Sequence, residues 1–218
     1  MNSDGALVLS VNVTLGTFVS YQNKQIRTGI FKRPVEGRVM LSGVNLTGDD
    51  QADRTVHGGP ERAAYAYAVE DYRWWEGRLG KTLPPGKFGE NFTLQGIDLN
   101  NALIGERWQI GDAVVQVMSA RVPCFKLGIA MGDQKFVKRF SEALRPGAYL
   151  GIVQEGTIGA GDPVEVVWRP DHHITVREMM RVYTQDRAKL HTLLVPELPT
   201  NWREWIEARP SSTGKMEG

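Results

Sequence analysis

In the stretch AAYAYAVEDYRWWEGRL, residues 63–79, the residue pattern changes from that of a β-strand to that of a helix, and the fold assignment starts from this change. In residues 63–68 small side chains alternate with tyrosines, which is the period of a β-strand. Acidic and then aromatic residues follow at once, and Gly80 can end a helix. This stretch therefore predicts a strand that leads directly into a helix over residues 69–79.

Short alternating segments surround this unit from residue 7 to residue 169 and predict a mainly β domain. The chain contains 24 glycines, which supports an architecture rich in turns. Two Gly-Asp pairs, at 111–112 and 161–162, are each followed by valines three and six positions after the glycine, as in hairpins. We expect the strands to close, or nearly close, into a β-barrel with a few helices over residues 1–170.

The residue pattern changes after residue 170. Thr175 and Glu178 have the spacing of a capping box at the start of a helix. Asp186 and Thr200 are residues that can cap two further short helices. We therefore predict a small three-helix domain over residues 171–209 and a frayed tail over 210–218.

Composition excludes several classes of function. A formal net charge of +1 argues against a sequence-independent nucleic-acid binder, and the C-terminal helices lack the basic face of a DNA reader. No run of 18 apolar residues occurs and the N-terminus lacks the cationic start of a signal peptide, so we expect a cytoplasmic protein without membrane contact. P-loop, dinucleotide-binding, hydrolase-elbow and zincin motifs are also absent.

The only cysteine, Cys124, lies in the segment RVPCFK, residues 121–126. Arg121 and Lys126 favour the thiolate form, and Pro123 restricts the local backbone. One soft anionic ligand suits a single soft metal centre or a nucleophile, but it cannot hold an iron–sulfur cluster, a zinc knuckle or an internal disulfide. A cysteine that is simply buried in the core is the alternative.

Three other loops contain residues suited to binding an anion or a heterocycle. The turn HGG at residues 57–59 can expose backbone amides, and the loop FGEN at 88–91 offers one acid and one amide. Lys32 and Arg33 are adjacent cations before a proline, a pattern that can hold phosphate. Taken alone, each loop is better explained as a turn or a solvated pair, but together they offer complementary parts of an anion-and-metal site.

These motifs occur in a known order. TGIFK (28–32), GDDQAD (48–53), HGG (57–59), FGEN (88–91) and RVPCFK (121–126) together resemble MOSC-domain proteins of the YiiM type. The likeness extends over about residues 1–170, and the remaining residues resemble the family's three-helix extension. The chain departs from the family pattern at Ser119-Ala120, where Gln-Pro is expected, and at Arg62, where lysine is expected.

The resemblance implies a molybdenum cofactor, a pterin dithiolene ending in phosphate, and the two-electron removal of the hydroxyl oxygen from N-hydroxylated compounds such as 6-hydroxylaminopurine and amidoximes. It implies that Cys124 is the protein ligand of molybdenum, and we expect His57 or Glu90 to pass protons. The cofactor-binding residues that it implies are Lys32, Arg33, His57, Gly58, Gly59, Phe88, Gly89, Glu90, Asn91, Arg121, Cys124 and Lys126.

Such a reductase needs a partner for its electrons. One cysteine cannot bind an iron–sulfur cluster, and no flavin or nicotinamide fingerprint occurs, so we expect an external donor such as a flavoprotein reductase or a ferredoxin. The alternative function is a cofactor carrier or sulfur-transfer module in which Cys124 carries a persulfide. A homodimer is an assembly that the sequence leaves open.

Overall fold

A computed structural model describes residues 5–51 and 59–210. The strands in these residues are β1 (Leu7–Val13), β2 (Thr17–Tyr21), β3 (Lys24–Thr28), β4 (Arg33–Pro34), β5 (Arg38–Ser42), β6 (Asn45–Leu46), β7 (Ala64–Ala68), β8 (Phe92–Gln95), β9 (Arg107–Ile110), β10 (Ala113–Ala120), β11 (Ala148–Gln154), β12 (Gly156–Gly159) and β13 (Val164–Trp168). The α-helices are α1 (Val69–Leu79), α2 (Phe125–Met131), α3 (Phe136–Ala143), α4 (Val176–Gln185) and α5 (Thr200–Glu207). Two 3₁₀ helices cover Pro60–Arg62 and Arg187–Leu193.

Eight strands form one mixed sheet in the order β13-β9-β10-β11-β7-β8-β1-β4. The pair β7–β8 is parallel because α1 and a long loop connect the two strands, whereas β7 pairs with β11 in the antiparallel sense. Strands β12, β5 and β6 form a second small sheet, and β2 and β3 form a separate hairpin. The predicted strand-to-helix unit is confirmed: β7 passes directly into α1, which ends at Gly80 in a left-handed conformation.

The prediction of a closed or nearly closed β-barrel is confirmed only in its content of strands, because the eight-stranded sheet does not close. Its two ends approach each other, because the backbone N–H of Val164 donates to the carbonyl of Ala6 over 2.8 Å and that of Gly161 to the carbonyl of Val8 over 2.8 Å. The pairing there is limited to an isolated bridge between Leu7 and Pro163. The N–H of Val8 donates to the carbonyl of Asp162 over 2.9 Å and that of Val164 to Ala6, so Leu7 and Pro163 form a non-hydrogen-bonded pair between these bonds. The fold is therefore rich in strands but open, with helices on its faces.

Only one of the two Gly-Asp pairs forms a hairpin. Residues 111–112 connect β9 and β10, which are antiparallel neighbours as predicted. Residues 161–162 connect β12 to β13, and these strands belong to different sheets, so the second hairpin prediction is wrong. The Asp162 carboxylate accepts hydrogen bonds from the N–H of Gly159 (2.9 Å) and from Arg38 (2.8 Å). These bonds hold a corner at which the chain changes sheets.

The side chains of β7 separate two hydrophobic cores. Its alanines join the larger core of the main sheet, and its tyrosines join a second core composed mainly of aromatic rings. The fully buried rings of that second core include Tyr67, Phe88, Phe136 and Phe140. Its ring pairs are close, with 4.3 Å between the ring centroids of Tyr67 and Phe88. The small/large alternation in the sequence thus separates the two sides of one strand.

The C-terminal helices begin only partly as the sequence predicts. The Thr175 hydroxyl accepts the N–H of Glu178 over 3.0 Å, which confirms the cap of α4. Asp186 makes no side-chain cap and precedes a 3₁₀ helix rather than an α-helix. Thr200 lies inside α5, with Pro199 at the cap position, so its predicted capping role is wrong.

These helices share the larger core with the sheet. Val176, Met179 and Met180 of α4 are buried in the same cluster as the strands. The backbone N–H of Ala120, the last residue of β10, donates to the sulfur of Met179 over 3.5 Å. The domain boundary at residue 170 stays a prediction, but packing is continuous across it. In the described parts of the chain, no helix has the length and apolar character needed to cross a membrane.

Candidate functional site

Cys124 lies between the end of β10 and the start of α2. It has an extended backbone, and its carbonyl accepts the N–H of Leu127 over 2.9 Å in the first turn of the helix. Its side chain is half-buried and forms part of the wall of a cleft. The sulfur is therefore fixed at a surface opening, and the alternative of a cysteine sealed in the core is wrong.

Segments distant in the sequence form this cleft. Its charged residues in the described part of the chain are the cations Lys32, Arg62, Arg121 and Lys126 and the carboxylates of Asp49 and Asp50. Because cations outnumber carboxylates, the cleft favours an anionic group although the whole chain is nearly neutral. The residues that line it are Thr28, Gly29, Ile30, Lys32, Asp49, Asp50, Gln51, Arg62, Ala63, Ala64, Tyr65, Gly89, Asn91, Arg121, Val122, Cys124, Lys126 and Tyr149.

Arg121 is the most deeply buried cation of the cleft, with 6% of its surface exposed. Its guanidinium donates to the carbonyl of Phe88 and lies over the ring of Tyr65, 4.7 Å from the centroid. Burial lowers the pKa of Arg121, but the neighbouring Tyr65, Tyr149 and Cys124 raise it more, so the net shift is upward. Arg121 thus keeps a positive charge next to the cysteine and at the same time fixes the loop at Phe88.

Lys32 and Asp49 form a buried ion pair in the floor of the cleft. The Asp49 carboxylate also accepts the N–H of Thr14 over 2.9 Å and the side-chain amide of Asn91 over 3.0 Å. Burial lowers the pKa of Lys32, and Asp49 opposes that shift. Because Asp49 has several donors, Lys32 retains capacity to interact with an anion that enters the cleft.

Glu90 organises the loop of residues 86–91 from below. Its carboxylate is fully buried and accepts hydrogen bonds from the hydroxyl of Tyr72 (2.6 Å), the N–H of Gly86 (2.7 Å) and the hydroxyl of Thr93 (2.7 Å). Burial raises the pKa of Glu90. Glu90 does not line the cleft. The prediction that it passes protons to a substrate is therefore corrected: its position makes it a positioning residue for the loop.

Two glycines allow this loop to approach the segment of residues 29–32. Gly86 has a φ of +81°, and a Cβ there would lie 2.5 Å from the carbonyl oxygen of Lys32. Gly89 has a φ of +78°, and a Cβ there would lie 2.9 Å from the side chain of Ile30. Both the conformation and the space exclude other residues. The TGIFK and FGEN motifs therefore meet backbone to backbone at the edge of the cleft.

The structure brings together half of the predicted cofactor-binding set. The residues of that set that line the cleft are Lys32, Gly89, Asn91, Arg121, Cys124 and Lys126. Arg33 is exposed on the short strand β4 and does not line the cleft, so its contact with a cofactor stays a prediction. Phe88 is corrected: its ring is buried in the aromatic core and only its carbonyl serves the site, as the acceptor for Arg121.

The histidine turn is described only in part. His57 and Gly58 lie outside the described residues. Gly59 does not line the cleft, so its predicted contact with a cofactor is not seen, but its N–H donates to the Gln51 side chain over 3.0 Å. Gln51 itself lines the cleft, so Gly59 contributes through the residue that it holds.

Sequence reasoning missed some of the cleft residues. Tyr149 on β11 lines the cleft but belongs to no recognisable motif. Its position depends on the pairing of β11 with β7. Asp49 lies inside the GDDQAD motif, but nothing local indicates that it pairs with Lys32. Arg62, which was noted only as a departure from the family pattern, lines the cleft and its guanidinium lies 5.6 Å from the ring centroid of Tyr149.

The chemistry of the cleft fits a cofactor that brings its own metal ligands. In residues 5–51 and 59–210 no group of three or more His, Cys, Asp and Glu side chains is placed to hold a metal ion. A metal bound at Cys124 through this part of the chain therefore needs further ligands from a non-protein group. One half-buried cysteine sulfur beside several cations is suited to a metal held by an anionic, phosphate-bearing organic ligand.

Comparison with known proteins identifies the family. The sequence model of the MOSC domain matches residues 53–165, which include the loop at Glu90 and the segment around Cys124. The chain belongs to the MOSC-domain family. The match ends before α4, so the C-terminal helices lie outside the MOSC domain proper.

Relatives cover nearly the whole chain. The uncharacterised Bacillus subtilis protein YflK is 35% identical over 207 residues, which are 93% of this chain and 94% of that protein. The crystal structure of YiiM from Geobacillus stearothermophilus has a TM-score of 0.76 at 28% identity, with 93% of this chain and 98% of that chain covered. A Gibberella moniliformis protein named "Reductase" is 29% identical over 177 residues, 78% of this chain but 31% of that protein. The resemblance to YiiM-type MOSC proteins is thereby confirmed.

Proposed function

We propose that this MOSC protein binds the molybdenum cofactor through Cys124 and reduces N-hydroxylated compounds. The observation that carries the proposal is the half-buried Cys124 at the mouth of a cleft lined by Lys32, Arg121 and Lys126. A thiolate in that setting is suited to a soft metal, and the cations are suited to the phosphate of the cofactor. The kinship with a protein named as a reductase supports an oxidoreductase role.

The residues of the cleft divide into ligand and binding groups. Cys124 is the group that would hold molybdenum. Lys32 and Lys126 would bind the anionic end of the cofactor, and Arg121 would add charge while it keeps the Phe88 loop in position. The amide of Asn91 and the backbone at Gly89 offer hydrogen-bonding groups for a pterin ring. The cofactor supplies two-electron redox chemistry when it is bound.

The proposed reaction converts R–NHOH, two electrons and two protons into R–NH₂ and water. The N–O bond breaks, nitrogen is reduced, and the hydroxyl oxygen leaves as water. The electrons come from an external protein donor, a flavoprotein reductase or a ferredoxin, because the described residues hold no redox group besides Cys124. His57 remains the candidate for proton transfer, since Glu90 is fully buried beneath its loop.

The decisive experiment measures metal content. The full-length protein and the variants Cys124→Ser and Cys124→Ala are purified from a host that makes the cofactor, and molybdenum per chain is determined by elemental analysis. We expect near-stoichiometric molybdenum in the wild-type protein and loss in both variants. Arg33→Ala is the matched control, because it removes an exposed cation outside the cleft and should keep the metal.

Activity completes the test. With a chemically reduced dye as the electron source, the loaded protein should convert benzamidoxime to benzamidine, and Cys124→Ser should not. If Cys124→Ser and Cys124→Ala kept full molybdenum, Cys124 would not be the ligand. If the protein carried a labile sulfane sulfur on Cys124 and no molybdenum, the sulfur-transfer alternative would replace the reductase.

A further inference from the structure

Cys124 also forms part of a second pocket, on the side of the C-terminal helices. This pocket has a cavity volume of about 360 Å³. It shares Arg62, Val122, Cys124 and Tyr149 with the cleft. The two spaces therefore meet at the cysteine, one lined by cations and the other mainly by apolar groups.

Aromatic rings of α4 and α5 form the far wall of this pocket. The ring centroids of Trp202 and Trp205 are 5.7 Å apart with the rings at 76°, and Tyr183 lies 5.3 Å and 5.5 Å from them. All three rings line the pocket, and the Arg209 guanidinium lies 3.5 Å from the centroid of the Trp205 ring. A flat ring that enters the pocket can pack against such an aromatic wall.

The polar groups of the pocket are few. Among the lining residues in 5–51 and 59–210, Arg62 is the one charged side chain and Asn201 the one amide, and none is a carboxylate. The positive charge of Arg62 disfavours a cationic ligand, and a long polar ligand finds few partners among these residues. Ala120, at the position where the family pattern leads us to expect proline, contributes only a methyl group to the wall.

We propose that Trp202, Trp205 and Tyr183 form the selectivity wall of this protein and bind the ring of an uncharged, planar aromatic ligand beside Cys124. The inference rests on the proposed function for what happens at Cys124, but the binding itself depends only on the pocket. The selectivity is then a property of residues beyond 170, which the MOSC match over residues 53–165 does not include. Stacking on the indole rings makes aromatic ligands bind more tightly than aliphatic ligands with the same N-hydroxyl group.

The test compares two amidoximes that differ in the ring alone. Benzamidoxime and acetamidoxime are titrated into the cofactor-free full-length protein, and binding is followed by calorimetry and by quenching of tryptophan fluorescence. We expect benzamidoxime to bind at least about tenfold more tightly than acetamidoxime, the difference that one good aromatic contact provides. Equal affinity for the two compounds, or no binding of benzamidoxime, would overturn the proposal.

Variants locate the effect. Trp205→Leu removes a half-buried ring of the wall and should weaken benzamidoxime about tenfold while it leaves acetamidoxime unchanged. Trp205→Phe keeps a ring and should restore binding to within about threefold. Trp168→Leu is the matched control: Trp168 is 40% exposed on β13, outside the pocket, and its replacement should change neither affinity. Circular dichroism verifies that each variant is folded.

The result is independent of the metal test. If Cys124→Ser keeps its molybdenum, the proposed function fails while the difference between benzamidoxime and acetamidoxime stands. If molybdenum binding is lost as expected but Trp205→Leu lowers both affinities equally or neither, the selectivity wall is wrong and the proposed function remains. If the pocket served to bind a donor protein instead of a small ligand, benzamidoxime would not bind, and that result would also contradict the proposal.

Discussion

Arg121 donates a hydrogen bond from its guanidinium to the backbone carbonyl of Phe88, so the segment that carries Cys124 is tied to the loop that carries Gly89 and Asn91. Both partners are buried. The distance in sequence is 33 residues, and neither motif alone indicates the contact. The bond makes the two walls of the cleft one unit.

Replacing Arg121 by lysine should loosen this unit. Lysine lacks the planar fork that both donates to Phe88 and lies over Tyr65, so we expect Arg121→Lys to lower the free energy of unfolding by about 1.5–3 kcal/mol. Urea denaturation measures the change. Arg33→Lys, an exposed control, should stay within about 0.5 kcal/mol of the wild type. Equal stability of Arg121→Lys and the wild type would contradict the assigned role.

The Lys32–Asp49 pair should show strong energetic coupling. Removing one partner leaves the other charge buried, so Lys32→Met and Asp49→Asn should each cost about 3 kcal/mol of unfolding free energy. The double variant should cost less than the sum, with a coupling energy above about 1 kcal/mol. A double-mutant cycle in urea provides the measurement. Additive costs would mean that the two side chains do not interact in solution.

Glu90→Gln tests whether Glu90 positions its loop or passes protons to a substrate. The glutamine amide keeps one accepting oxygen, but its NH₂ group cannot accept the N–H of Phe88 as the second carboxylate oxygen does over 3.2 Å, so the variant should lose about 1–3 kcal/mol near pH 5. Kinetically, the pH profile of the reductase reaction should keep its shape, because Glu90 does not face the cleft. A profile that loses one limb in Glu90→Gln would restore the proton-transfer role.

The stability contribution of Glu90 should also depend on pH in a defined direction. Burial raises its pKa above the ordinary value of 4.5, so between 4.5 and the raised value the native state holds more protons than the unfolded state. The free energy of unfolding contributed by Glu90 is therefore complete below 4.5 and falls as pH rises through the raised pKa. The difference between wild type and Glu90→Gln should shrink over that window, as measured by denaturation at several pH values. A difference that grows with pH would contradict this sign.

Alanine substitutions at two glycines distinguish the cost of backbone strain from the cost of a steric collision. Gly86→Ala should cost about 3 kcal/mol or more, because the left-handed conformation adds to a collision with the Lys32 carbonyl. Gly43 also has a positive φ, +60°, but nothing lies within 4 Å of a Cβ there. Gly43→Ala should therefore cost only about 1–2 kcal/mol. Thermal or urea unfolding of both variants checks the order, and equal costs would remove the argument from close approach.

The caps of the C-terminal helices give a further paired test. Thr175→Ala removes the acceptor for the N–H of Glu178 and should lower the free energy of unfolding by about 1 kcal/mol. Thr200→Ala should change it by less than about 0.5 kcal/mol, because Thr200 is inside α5 and makes no cap bond. Denaturation curves of the two variants decide, and a larger loss in Thr200→Ala would restore the original prediction.

Local pattern was sufficient for elements whose cause is local. The alternation in residues 63–68 and the Thr175–Glu178 spacing predicted β7, α1 and the cap of α4 because strand period and capping depend on near neighbours. Closure of the sheet was not predictable in this way. It depends on whether two distant edges pair, and in the described residues they meet at the isolated bridge between Leu7 and Pro163.

The candidate site was predicted in outline through motif order. Cys124, Arg121 and Lys126 line one cleft with Lys32, as the motif order led us to expect. Arg33 and Glu90 differ because side-chain direction and depth are set by tertiary packing: one points away on β4, and the other fills the space beneath its loop. The aromatic pocket was not predictable from the sequence. Trp202 and Trp205 lie near Cys124 because α5 packs into the larger core together with the sheet.

The hydrogen bond from Ala120 to the sulfur of Met179 means that the strand leading to Cys124 ends against a C-terminal helix. A fragment truncated after residue 170 would leave one face of the hydrophobic core open to water and would release the anchor point of the cysteine segment. Ligand affinities measured on such a shortened protein would therefore describe a different molecule.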